Sequence, residues 1–225
     1  MRRSKPRFFG WPSGHSFDDS PTPPSGWWRK FFISLAGGGA LVASFALEVA
    51  GKPVAGYSLR AAVILVWFAL ETPVFRRAKQ GTTPATAVRW AVGSMIAGCV
   101  AVALTPVNAI LVWRVANLHL FFVSGIGLVT LAVATRVTMG HAGRHELLGG
   151  KIVWLRWVIG LAVVASTTRA SADFWPKIKE SHHIYAAWTW LIIGVLWMWK
   201  AGRFLLHSDE PMPDAQRKCP KKRGR

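Results

Sequence analysis

The stretch that decides the fold runs NLHLFFVSGIGLVTLAVATRVTMGHAGR from Asn117 to Arg144. Its apolar run is long enough to cross a bilayer as a helix, which needs about 20 residues. His119 and His141 lie at its two ends, about 33 Å apart along a straight α-helix, so they cannot share one metal. Arg136 lies inside the run, where an unbalanced charge is costly. This pattern predicts polar chemistry at both membrane faces.

The composition favours a membrane protein. The 225 residues are 52% hydrophobic and only 17% charged, with 13 tryptophans. The formal net charge is +18, but the basic residues lie mainly in the tails and in alternate loops. That distribution suits loops that face anionic lipid, and we expect the bilayer rather than a nucleic acid as the partner.

The hydropathy pattern predicts an all-α, polytopic transmembrane bundle of about six helices, because each apolar segment approaches the length of a bilayer crossing. The spans are expected at 31–50, 57–75, 88–104, 118–138, 152–170 and 184–206. Residues 106–117 are too short to span and are expected along the outer interface. Residues 1–30 are predicted to be a disordered or interfacial N-terminus, 31–206 the transmembrane domain and 207–225 a basic tail.

The distribution of Lys and Arg predicts that both termini are cytoplasmic. The basic segments are the N-terminal 30 residues, the second-to-third connection (Arg76, Arg77, Lys79, Arg89), the fourth-to-fifth connection (Arg144, Lys151) and the C-terminal tail. The other three connections carry few uncompensated cations. This alternation places His119, His182 and His183 together at the outer face.

Three outer histidines form the first candidate site. Neutral imidazole is a good ligand for iron and copper, and haem in helical bundles is often held by histidines of facing helices. His119, His182 and His183 are therefore candidate metal or haem ligands. The alternative is that they hydrogen-bond to water or lipid headgroups at the interface.

The inner face carries the second candidate site. His141 and His145 flank Gly143 and Arg144, a pattern compatible with a metal site, an anion-binding nest or a solvated loop. Glu71 is predicted at a similar depth to Arg136, and charges within membranes tend to pair. The alternatives for Arg136 are snorkelling to the interface and contact with a haem propionate.

Several enzyme classes lack their signatures in this chain. It contains no Walker loop, dinucleotide-binding glycine turn, His-Glu-x-x-His or Cys-x-x-Cys. Cys99 falls in a predicted span and Cys219 in the basic tail, so we expect no disulfide between them. The residues themselves therefore assign no reaction.

The motif TLAVATRVTMGHAGR (130–144) resembles the signature of the NnrS family. The upstream segments 118–120 and 125–127, and the final helix from His182 to Leu205, continue the resemblance. It is clearest over 117–206 and extends weakly to residue 31. NnrS proteins are bacterial inner-membrane proteins associated with nitric oxide metabolism and nitrosative stress, and they are described as containing haem and copper.

The resemblance implies a haem- or copper-binding protein of the bacterial plasma membrane, with nitric oxide as a small-molecule ligand. His119 with His182 or His183 would be outer ligands, His141 would be a further metal ligand, and Arg136 and Arg144 would steer propionates or an anion. The family is about twice this length and its early His-Glu segment is not found here, so the chain resembles the C-terminal half of the family. Ala142 replaces a usual Thr or Ser. A second copy or a partner would then supply the missing half.

A different class of function stays open at this point. In that alternative the chain is a non-enzymatic membrane transporter or an assembly subunit, and Glu71 and Arg136 form a gating or structural ion pair. A haem absorption band in the purified protein distinguishes this alternative from the first.

Overall fold

The structure is a computed structural model that describes residues 7–8, 11–12, 26–71, 81–105, 110–142 and 144–205. Within these ranges side chains are described except at 7–8, 11–12, 71, 110–112 and 145–146. The predicted N-terminal segment and the tail at 207–225 lie largely outside the described residues, as do Cys219, His15 and His207.

The architecture is all-helical, and the prediction of a six-helix bundle is confirmed. The long helices are α1 (Trp27–Val49), α2 (Pro53–Glu71), α3 (Thr83–Ala103), the composite α4–α5, α7 (Val153–Ala172) and α8 (Lys179–Lys200). The composite helix consists of α4 (Ile110–His119), a π-helical segment (Leu120–Gly127) and α5 (Leu128–His141). Short elements are α6 (His145–Leu148), two 3-10 helices (Pro176–Ile178, Gly202–Leu205) and the antiparallel two-residue strands β1 (Arg7–Phe8) and β2 (Trp11–Pro12).

Four of these helices are long and apolar enough to cross a membrane: Trp27–Val49, Pro53–Leu70, Thr83–Ala103 and Trp113–His141. Large apolar side chains also point away from the bundle, such as Val49, which is 90% exposed, and Trp199, which is 68% exposed. Such a surface is stable against hydrocarbon rather than water. The chain is therefore a membrane protein.

The segment before His119 differs from the sequence-based expectation. Residues 110–117 do not lie as a separate piece along the interface but form the start of α4, which continues without a break into the fourth span. The physical reason is that no proline or helix-ending glycine separates Ile110 from Leu120, so helical winding continues. Residues 106–109 lie outside the described part of the chain.

Small residues let α3 pack closely against the π segment. A Cβ on Gly98 would lie 2.8 Å from the backbone nitrogen of Phe121 and 3.0 Å from the carbonyl oxygen of Asn117. The same helices bury alanines, including Ala91 and Ala132, in the main core. Close backbone approach of this kind is typical of packing between membrane helices.

The hydrogen bonds at the start of α3 tie it to α7. Thr82 caps α3 by accepting from the Ala85 amide at 3.4 Å, and the hydroxyl oxygen of Thr83 accepts from the Ile152 amide at 2.8 Å.

Because the long helices alternate in direction, the bundle has two ends, which we name by residue. The His119 end holds the α1–α2 turn and the α7–α8 connection, and the Arg136 end holds the start of α3 and α7.

Candidate functional site

The predicted site residues fall at opposite ends of the composite helix. His119 ends α4, whereas Arg136 and His141 lie in the last two turns of α5. The 119–136 separation corresponds to roughly 25 Å of helix. No single bound group therefore contacts both His119 and Arg136.

The ring of His119 is held in one orientation by its own helix. Its Nδ1 lies 2.6 Å from the carbonyl oxygen of Val115, one turn earlier. A carbonyl oxygen only accepts hydrogen bonds, so Nδ1 carries the proton and Nε2 keeps its lone pair. Histidines that bind metals are commonly oriented in this way, with the second nitrogen donating to a backbone carbonyl.

His183 approaches the same region from the first turns of α8. Its Nε2 is buried and has no hydrogen-bond partner among the described residues; the Oδ1 of Asp173 is 3.9 Å away. The ring centre of Trp113 on α4 lies 4.9 Å from that of Phe174 in the α7–α8 connection. His119 and His183 therefore lie at the same end of the bundle.

The neighbouring His182 has a different environment. Its Nδ1 lies 3.2 Å from the hydroxyl of Ser171, near the end of α7. This contact gives His182 a polar partner within the protein. Of the three outer candidates, His182 is therefore the one that contributes to the joining of α7 and α8.

A buried carboxylate orders the connection between α7 and α8. Asp173 is only 4% exposed; its Oδ2 lies 3.1 Å from Nη1 of Arg169 and its Oδ1 lies 2.9 Å from Nζ of Lys179. Burial opposes ionisation, but the hydrogen bonds and charges of these two cations outweigh it and hold the pKa of Asp173 below its ordinary value. A charged Asp173 therefore fixes the start of α8 and the position of His183.

These residues fit part of a metal or haem site. His119 Nε2, with its lone pair, and the unpartnered Nε2 of His183 would supply two imidazole nitrogens to a haem iron or a copper ion. Within the described ranges, no three His, Cys, Asp or Glu side chains are grouped so that they could hold a metal ion. Within the described residues, the match to a metal or haem site therefore depends on His119 and His183.

The Arg136 end is less completely described. The indole nitrogen of Trp197 donates to the hydroxyl of Thr135 at 2.9 Å, which ties α8 to α5 beside the half-buried Arg136. The side chain of Glu71 lies outside the described residues, so its pairing with Arg136 stays a prediction.

The two other candidates at this end lie close to the surface. His141 is the exposed last residue of α5, and Arg144 is exposed just beyond it. The backbone amide of Arg144 donates to the carbonyl of Met139 at 2.9 Å. The side chain of His145 is outside the described part of the chain, so a pair of His141 and His145 remains untested.

A third polar cluster was not predicted from the sequence. The carboxylate of Glu48 accepts a hydrogen bond from Nη2 of Arg60 at 3.0 Å and forms an ion pair with Nη1 of Arg114 at 2.7 Å. The hydroxyl of Tyr57 donates to the same carboxylate at 3.0 Å. We call Glu48, Tyr57, Arg60 and Arg114 the Glu48 cluster; it lies at the His119 end and joins α1, α2 and α4.

One sequence feature does indicate this cluster. Arg60 falls inside the predicted span 57–75, where a charge needs a partner. Glu48 precedes it in the sequence, on the other side of the short turn between α1 and α2. Gly51, with φ of +75°, turns the chain between α1 and α2 and brings the two residues side by side.

Comparison with known proteins identifies the family. Searches of the curated proteins and of the solved structures found no match. The family model described as "NnrS protein" matches residues 5–208, which includes the part before residue 117 where the motifs carried little resemblance. Because this match covers most of the chain, the protein belongs to the NnrS family.

Proposed function

We propose that this NnrS-family protein binds haem or copper at the His119 end and acts in nitric oxide metabolism or the nitrosative stress response of the bacterial plasma membrane. The observation that supports it most directly is the arrangement of two imidazoles. His119 is oriented by Val115 so that Nε2 is available, and His183 has a buried Nε2 with no hydrogen-bond partner in the described structure. A buried polar nitrogen without a partner is costly, and a metal ion is a partner that satisfies it.

The protein's own residues prepare the ligands. The Val115 carbonyl holds the proton of His119 on Nδ1, and Asp173 anchors the start of α8 through Arg169 and Lys179. Both imidazoles must be neutral at Nε2 to bind a metal. A haem iron or copper bound there would supply the centre that binds a small ligand such as nitric oxide.

The Arg136 end serves a separate site in this proposal. Arg136 and Arg144 lie too far from His119 to contact the same haem, by the helical distance of roughly 25 Å. They are therefore assigned to an anion or to the propionates of a second group, with His141 as its metal ligand. A second copy of the chain or a partner subunit completes the ligand set at either end.

The test is the pigment and metal content of protein purified from membranes. His119→Ala and His183→Ala should each reduce bound haem or copper about tenfold or more. His182→Ala is the matched control, because the adjacent histidine already has Ser171 as its partner. A Soret band or copper content that is equal in all three variants and in the parent would overturn the assignment.

A second measurement distinguishes the two ends. His141→Ala should leave the Soret spectrum associated with His119 unchanged, since the two residues lie about 33 Å apart. If the His141→Ala variant alone lost the haem, the site would belong to the Arg136 end instead.

A further inference from the structure

The Glu48 cluster carries an excess of positive charge. Glu48 uses both oxygens: Oε1 accepts a hydrogen bond from Tyr57 and pairs with the charge of Arg114, and Oε2 accepts a hydrogen bond from Arg60. Two guanidinium groups therefore share one carboxylate. Arginine stays protonated in proteins, so neither group can lose its charge to restore the balance.

No second carboxylate compensates this charge in the part of the chain that the structure describes. The other two described acidic side chains are Asp173, which is engaged by Arg169 and Lys179, and Glu180, which is exposed. The segment 106–109 that precedes α4 contains no charged residue. Within the described structure Glu48 is thus the sole anion in contact with Arg60 and Arg114.

Aromatic rings position the two cations without neutralising them. The guanidinium carbon of Arg60 lies 3.7 Å from the ring centre of Phe45, and that of Arg114 lies 5.4 Å from the ring centre of Tyr57. Cation–π contacts of this kind stabilise a guanidinium but supply no net charge. They hold the planar groups in fixed orientations.

The remaining donors of the two arginines suit a second anion. Each guanidinium has five N–H groups. The described hydrogen bonds use Nε and Nη2 of Arg60, towards Ser44 and Glu48, and Nη1 of Arg114 is the atom of its ion pair with Glu48. Arg114 is 35% exposed, whereas Arg60 is 12% exposed, so the cluster is accessible from the Arg114 side.

We propose that Arg60 and Arg114 form a binding site for an oxyanion of phosphate chemistry, with Glu48 fixing the spacing of the two guanidiniums. The planar fork of arginine binds phosphate oxygens through paired hydrogen bonds. The phosphate comes either from a phospholipid headgroup or from free phosphate, since the cluster lies near the ends of the membrane helices. This site uses neither His119 nor His183 and is independent of the proposed function.

The experiment uses the full-length protein in nanodiscs and compares three proteins: the parent, Arg114→Gln and Lys52→Gln. Lys52 is an exposed cation of the α1–α2 turn, so its replacement removes the same charge from the same end without touching the cluster. Thermal unfolding is first followed in maltoside micelles in place of the discs, because this detergent carries no phosphate, with phosphate or chloride at equal ionic strength. It is then followed in phosphatidylcholine discs and in discs in which phosphatidylglycerol replaces part of the phosphatidylcholine.

The expected result is that phosphate or phosphatidylglycerol raises the unfolding temperature of the parent and of Lys52→Gln, while Arg114→Gln binds about tenfold more weakly or not at all. A response to inorganic phosphate identifies a soluble source, and a response to phosphatidylglycerol alone identifies a lipid. An equal response in all three proteins, or no response in any of them, would show that the cluster is a closed ion-pair network. If Arg114→Gln does not fold, Arg114→Lys is used in its place. This variant keeps the charge but lacks the planar fork of arginine, and we expect the same weakening of phosphate or phosphatidylglycerol binding.

Discussion

Glu48 on α1 and Arg60 on α2 form an ion pair in which Oε2 and Nη2 lie 3.0 Å apart, although the two side chains are only 17% and 12% exposed. Arg60 also donates from Nε to the hydroxyl of Ser44 at 3.2 Å, and that hydroxyl in turn donates to the Leu41 carbonyl at 2.6 Å. The pair therefore belongs to a chain of polar contacts that holds the first two helices together.

The two members of this pair should be energetically coupled. Glu48→Gln leaves two guanidiniums without their carboxylate, and we expect the free energy of unfolding to fall by about 3 kcal/mol. The double variant Glu48→Gln/Arg60→Gln should lose less than the sum of the single variants. This double-mutant cycle is measured by equilibrium unfolding in detergent. Glu180→Gln, on the exposed start of α8, is the control. Simple additivity would show that the two residues are not coupled.

Two glycines of α3 provide a matched test of the close helix packing. Gly98→Ala places a Cβ 2.8 Å from a backbone nitrogen of the π segment, and backbone cannot move aside as a flexible side chain does. We expect a loss of about 1–3 kcal/mol in the free energy of unfolding. Gly93→Ala meets no atom within 4 Å and should change stability little. The two variants are compared by their yield and their unfolding temperature. Equal stability of the two would contradict this packing of α3.

The α7–α8 connection should make stability depend on pH in acid. The pKa of Asp173 is held below its ordinary value of 3.8 by Lys179 and Arg169. A depressed carboxyl pKa contributes stability that is fully present above about pH 4 and is lost as the pH falls through the folded-state value. Unfolding temperatures of the parent and Asp173→Asn should therefore differ at neutral pH and converge below about pH 4. A constant difference across this range would exclude Asp173 as the titrating group.

The six long helices also lead to a prediction about topology. If all six cross the bilayer, the N- and C-termini lie on one side and the α7–α8 connection lies on the other. The count of Lys and Arg predicts that both termini are cytoplasmic. Reporter fusions at residue 225 and between residues 173 and 178 should report opposite sides. Two fusions on the same side would exclude six crossings.

The helices could be predicted from the sequence because bilayer thickness imposes a length and a hydropathy that one can count along the chain. Contacts between helices follow no such rule. The placement of His119 and His183 at the same end of the bundle could be predicted from the alternating topology. The pairing of Glu48 with Arg60 and Arg114 could not, because it depends on the turn at Gly51 and on the length of α4. The continuation of residues 110–117 into the fourth span was missed because the segment was treated as separate from the apolar run after it.

The π-helical segment has a consequence for the angular arrangement of residues around the composite helix. The backbone hydrogen bonds of a π-helix join residue i to residue i+5. Each hydrogen-bonded turn therefore contains one residue more than a turn of an α-helix. One extra residue corresponds to roughly 100° on an α-helical wheel. A single wheel drawn from Ile110 to His141 therefore assigns wrong faces to one half of the helix. Two separate wheels, one for the half with His119 and one for the half with Arg136, are needed to tell which side chains face lipid and which face the bundle.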